Sequence, residues 1–143
     1  MRLRDFIVCD DIRQEVGNKY TLVGVYDESI EFGISKGETG KWPKTLKLGF
    51  FVRVRFEPDD TLPDVFSMHV RFNGTDETKT GEGSLQFSGS RKRDLNMVLL
   101  HGRFLVPRQS TMTFFLRFYS AGERIGELSP DCGIIARELV ARS

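Results

Sequence analysis

Between Leu46 and Glu57 every even position is apolar (Leu46, Leu48, Phe50, Val52, Val54, Phe56), while the odd positions carry Lys47, Gly49, Phe51, Arg53, Arg55 and Glu57. Successive side chains of a strand point to opposite faces, so this period of two commits the run to a β-strand with one face in a core. At about 3.3 Å per residue it spans roughly 40 Å, longer than the usual strand of about 5 or 6 residues, which suits the middle of a sheet.

The same alternation recurs along the chain. Leu3 to Asp10 reads as a first strand, apolar on both sides. Ile12 to Val16 and Lys19 to Tyr26 flank Gly17-Asn18, which predicts a hairpin with a two-residue turn; pairing Val16 with Lys19 would set Asp11 opposite Gly24. A helical turn capped by Asp10 or Asp11 is the competing local reading. Ile30, Phe32 and Ile34 suit a short edge strand, and Val65 to Asn73 alternates Phe66, Met68, Val70 and Phe72 against Ser67, His69 and Arg71. Gly74 to Gly83 reads as a polar turn, and Asn73-Gly74-Thr75 as part of it rather than a glycosylation site. Leu95 to Val106, Thr111 to Tyr119 and Arg124 to Leu128 complete the strands, with Gly133 to Val140 either a last strand or a short helix. Eight or nine strands, and no amphipathic helix longer than two turns, predict one all-β domain over residues 1–143, an antiparallel β-sandwich of about eight strands. A closed barrel is the alternative. Its core should hold Phe50, Val52, Val54, Phe66, Val70, Phe104, Phe114, Leu116 and Phe118.

A chain of 143 residues suits a single core, and its net charge of +1 offers no whole-molecule attraction to nucleic acid or anionic lipid. No apolar run is long enough for a membrane helix, and Asp5, Asp10 and Asp11 interrupt any signal-peptide core, so a cytoplasmic protein is expected. Cys9 and Cys132 should then be reduced thiols.

The run Cys9, Asp10, Asp11, Arg13, Glu15, Gly17, Lys19, Leu22, Gly24 and Tyr26 resembles the N-terminal signature of an uncharacterised bacterial family. That resemblance covers about the first 26 residues. It implies a bacterial source and supplies no activity and no catalytic residues. The closing pair of apolar strands, with Pro107 and Gly122 at its turns, resembles the last hairpin of immunoglobulin-like and C2-like sandwiches.

Signatures of chemistry are sparse. Gly37-Glu38-Thr39-Gly40-Lys41 has only two residues between its glycines and runs into Trp42-Pro43 instead of a helix, unlike a phosphate-binding loop. The two histidines and two cysteines are scattered singly, without zinc-site spacing. His69 and His101 read as exposed strand residues rather than catalytic bases. Asp10-Asp11, Asp59-Asp60 and Asp64 could be compared with a calcium site but suit solvated turns. Arg91-Lys92-Arg93 beside Asp94 reads as a solubilising loop rather than a phosphate site. No cofactor or metal is expected, and the chain reads as non-enzymatic.

One surface pattern stands out. If the strands at 46–57, 97–105 and 111–119 shared a sheet, their outward residues would be Phe51, Arg53, Arg55, Leu99, His101, Arg103, Phe115, Arg117 and Tyr119. Protein interfaces are enriched in arginine and aromatics and depleted in lysine and acids, and these nine fit that composition. The function expected is a module that forms a homo-oligomer or docks a protein partner through a sheet face. The alternative is a nucleic-acid-binding platform in which the same arginines meet phosphates and the rings stack on bases.

Overall fold

The computed structural model describes residues 1–17, 19–74, 76–87 and 93–141. Among them are ten strands: β1 (Arg2–Glu15), β2 (Lys19–Tyr26), β3 (Ser29–Ile34), β4 (Lys44–Arg55), β5 (Val65–Phe72), β6 (Asp76–Ser84), β7 (Asp94–Val106), β8 (Ser110–Ser120), β9 (Glu123–Leu128) and β10 (Ile134–Val140). They form two sheets, β2-β1-β4-β7 and β3-β10-β8-β5-β6, with β9 pairing the second half of β8. The sheets are separate and face each other, so the fold is an open all-β sandwich and the barrel alternative falls away. Every strand pair is antiparallel except β3 with β10. No helix among the described residues is long and apolar enough to cross a membrane.

β4 sits inside its sheet between β1 and β7, and Leu48, Phe50, Val52, Val54 and Phe56 are all buried, as their period of two requires. All nine residues expected in the core are buried. The Phe114 ring on β8 meets Phe50 on β4 at 5.2 Å and Phe6 on β1 at 5.7 Å, so aromatic contacts tie the two sheets together. The tail is a strand: β10 runs antiparallel to β8 and parallel to the edge strand β3.

Three local expectations are corrected. Gly74 to Gly83 is largely strand, because β6 takes its hydrogen-bonding partners from β5 although its own sequence lacks an apolar stripe. The β1–β2 hairpin pairs Glu15 with Lys19, so its connection spans residues 16–18. The register moves by one place, and Asp10, between the pairs Cys9–Val25 and Asp11–Val23, lies opposite Gly24. The capped helical turn is absent, since β1 is continuous through Asp10 and Asp11. Asn18, Thr75, and Arg91 and Lys92 of the basic run lie outside the described residues.

That hairpin does not stay flat. Tyr20 pairs with Gln14 and Phe51 with Ile7, positions seven residues apart along β1, roughly 23 Å in a straight strand. Yet the Tyr20 and Phe51 rings lie 5.5 Å apart. A Cβ on Gly49 of β4 would come within 3.1 Å of Ile12 and 3.2 Å of Leu100. The end of the hairpin therefore folds back over the outer face of the four-stranded sheet, and it closes over Cys9, which is fully buried.

Candidate functional site

The nine residues expected on one face occupy two faces and the interior. Phe51, Arg53 and Arg55 face outward on β4, and Arg103 is exposed on β7. Leu99 and His101 turn inward: Leu99 pairs with the core residue Phe50, and the His101 ring meets Phe50 at 5.6 Å and Phe104 at 6.0 Å. The cause is a bulge. Leu46 pairs with Phe104 but Leu48 pairs with His101, so β7 spends one more residue than β4 across that interval and its parity flips. Val98 and Leu100 face outward instead, and Leu100 and Leu105 are 51% and 53% exposed.

Phe115, Arg117 and Tyr119 belong to β8, in the other sheet, so the shared face does not exist. Alternation predicted outward side chains on all three strands, and sheet membership depends on pairings that alternation does not encode. Three of the four arginines, Arg53, Arg55 and Arg117, are also occupied. Arg53 Nη2 lies 2.5 Å from Asp5, Arg55 Nε donates to Asp94 at 3.0 Å, and Arg117 donates to both Glu77 and Glu127. The absence of acids among the nine residues was a property of that list, for neighbouring strands bring the carboxylates.

On the outer face of the six-stranded sheet, polar side chains from four strands converge. β5 contributes Ser67, His69 and Arg71 at alternate positions; β6 brings Glu77 and Lys79, β8 Phe115 and Arg117, and β9 Glu127. The His69 ring stacks on Phe115 with planes 10° apart and centroids 5.3 Å apart. The Arg71 and Arg117 guanidinium groups lie 4.7 and 4.9 Å from the Phe115 ring centre. Phe115 thus points outward yet is only 3% exposed. His69 is likewise buried, at 7%, and Ser67 at 5%. The expectation of an exposed His69 is overturned because long neighbouring side chains lie over it, which alternation along a single strand does not reveal.

Within this cluster Ser67 Oγ lies 2.7 Å from His69 Nε2, and His69 Nδ1 lies 3.2 Å from Glu77 Oε1. An ionised carboxylate only accepts, so the compatible tautomer carries its proton on Nδ1 and leaves Nε2 to accept from the serine hydroxyl. Burial first, and then the Arg117 guanidinium, lower the His69 pKa from its ordinary value against the opposing pull of Glu77. A cavity of about 420 Å³ opens beside Ser67, His69, Lys79, Glu82, Tyr119 and Gly122. Serine and histidine two places apart on one strand share a face, and that spacing was the signal available in the sequence; Glu77 sits in the stretch that resembled a turn.

Of the five acidic residues compared with a calcium site, Asp10, Asp11, Asp60 and Asp64 are taken by protein donors. Tyr26 Oη donates to Asp10, Lys47 Nζ lies 3.0 Å from Asp11, Glu57 N donates to Asp60 at 2.7 Å, and Ala121 N donates to Asp64 at 3.1 Å. Arg93, the described member of the basic run, donates to the carbonyls of Glu57 and Asp60.

The chain matches no family model, no curated protein and no solved structure.

Proposed function

We propose that this protein is an interaction module that self-associates through the β7 edge and the outer face of the four-stranded sheet. The observation that carries this reading is the state of β7. It is a 13-residue strand at the end of its sheet, and it turns Leu100 and Leu105 half out into solvent. An edge strand offers unpaired N–H and C=O groups to any other strand, and long apolar edges are ordinarily blunted by lysine, proline or short length. Among the described residues, the interruption in β7 is the bulge near Arg103. Two copies of β7 meeting antiparallel about a two-fold axis would make a self-complementary contact, joining the sheets and covering both leucines. Arg53 and Arg55, with Asp5 and Asp94, would form a polar rim. Such a role needs no catalysis.

The nucleic-acid alternative has less to support it. Phosphate contacts ask for available cations, and Arg53, Arg55 and Arg117 are each held by a carboxylate. Sedimentation at low and high salt tests both readings. The wild type should be a dimer that persists in high salt, whereas the double variant Leu100→Lys, Leu105→Lys should be a monomer with an unchanged circular-dichroism spectrum. A wild type that is monomeric across the concentration range removes self-association, and salt-sensitive capture of oligonucleotide would favour the alternative.

A further inference from the structure

We propose that Ser67 is a base-activated nucleophile, able to accept the acyl group of a small carboxylic ester and pass it to water. This goes beyond the interaction reading and uses the opposite sheet. Nucleophilic serine chemistry requires a base within hydrogen-bond reach of the hydroxyl, a third group that orients the base, and space for the reacting carbonyl. Ser67 Oγ and His69 Nε2 are 2.7 Å apart, and Glu77 Oε1 lies 3.2 Å from the opposite ring nitrogen. The stack on Phe115 fixes the plane of the imidazole, and Arg117, 2.6 Å from Glu77, fixes the carboxylate. The cavity beside Ser67 and His69, about 420 Å³, falls in the range of small-ligand sites, roughly 300–1,000 Å³.

In the acylation step Ser67 Oγ bonds to the ester carbonyl carbon while its proton moves to His69 Nε2. The alkoxide leaves with that proton, so the ester carbon–oxygen bond breaks as the alcohol departs. Water then attacks the acyl carbon, gives its proton to His69, and releases the carboxylic acid as Ser67 regains a proton. Lys79, which lines the same cavity, supplies the positive charge for the tetrahedral oxygen. Its link to Glu82 is an exposed pair at 2.8 Å, the kind that opens at little cost. Ser67 and His69 touch the substrate in this scheme, and Glu77 is a positioning residue.

The test is covalent labelling of the whole protein with a fluorophosphonate probe, read by intact mass and peptide mapping, with p-nitrophenyl acetate as the competing ester. One adduct per chain on Ser67, suppressed by the ester, is the expected result. His69→Gln should slow labelling by at least about 100-fold. Glu77→Gln should lower the maximal rate without changing the probe concentration that gives half of it. The monomeric Leu100→Lys, Leu105→Lys variant should label like the wild type, so the two proposals fail separately. If Ser67 stays unlabelled under conditions that label a known serine hydrolase, or if a folded His69→Gln reacts as fast as wild type, the assignment is wrong. Should the variants not fold, the mapped position in the wild type and its protection by the ester decide the matter alone.

Discussion

Gly24 lies across the β1–β2 ladder from Asp10, and a Cβ on it would stand 2.2 Å from Asp10 Oδ2. Its φ of +65° is also one that residues with side chains rarely adopt. The carboxylate fills the space the missing side chain leaves, and there it accepts a hydrogen bond from Tyr26, whose phenol is pushed up to about 12 by burial first and Asp10 second. Gly24→Ala must therefore displace Asp10 and strain the backbone, at a cost of about 1–3 kcal/mol. Urea denaturation should show the loss, and an unchanged midpoint would mean that the hairpin does not bend at this pair.

Phe114 bridges the sheets through Phe50 and Phe6, and it is essentially inaccessible to solvent. Truncation to alanine should cost about 3–5 kcal/mol, from lost transfer energy and the cavity left behind. A Phe114→Ala protein with a wild-type denaturation midpoint would contradict the packing of β8 on β4.

Acid should weaken the fold in a window set by histidine. Burial lowers the pKa of both His69 and His101 below the ordinary value of 6.5. The unfolded chain therefore takes up these protons first, so stability is full above about pH 6.5 and falls as the pH drops towards the folded-state values. Around His69 the groups are Ser67 and Arg71 from β5, Glu77 and Lys79 from β6, Arg117 from β8 and Glu127 from β9; Lys79 and Arg117 oppose its protonation, while Glu77 and Glu127 favour it. Urea midpoints between pH 7.5 and 5.5 should decline in the wild type and decline less in His69→Gln. A flat profile would show that neither ring is desolvated.

The two thiols should differ sharply. Cys9 is fully buried, within 3.6 Å of the Gly49 carbonyl, and its pKa is raised chiefly by burial; Cys132 is exposed. Native protein should take one maleimide, at Cys132, and denatured protein two. Rapid modification of Cys9 in the native state would indicate that the hairpin opens readily.

The inward set of β4 was legible because alternation is a property of neighbouring residues, and a core selects it directly. The strands β5 and β8 were legible for the same reason. β6 was not: DETKTGEGS carries no apolar face, and it is a strand because β5 offers it backbone partners. The parity of β7 was legible only as far as the bulge, since one inserted residue exchanges inside for outside without altering the composition of the run. For the polar cluster, the sequence placed Ser67, His69 and Arg71 on one side of a strand, and it could not place Glu77, Arg117 and Phe115 around them.

By itself, then, the amino-acid order determined an all-β chain, the buried face of the regular strands β4, β5 and β8 and the core residues they carry, because each depends on side chains within a few residues of one another. The tertiary structure alone decided which strands share a sheet, where the ladders slip and how the hairpin bends back. It also decided that His69 sits in a buried network instead of in water. Those outcomes rest on hydrogen bonds and contacts between residues far apart in the chain, whose free energies no local period records.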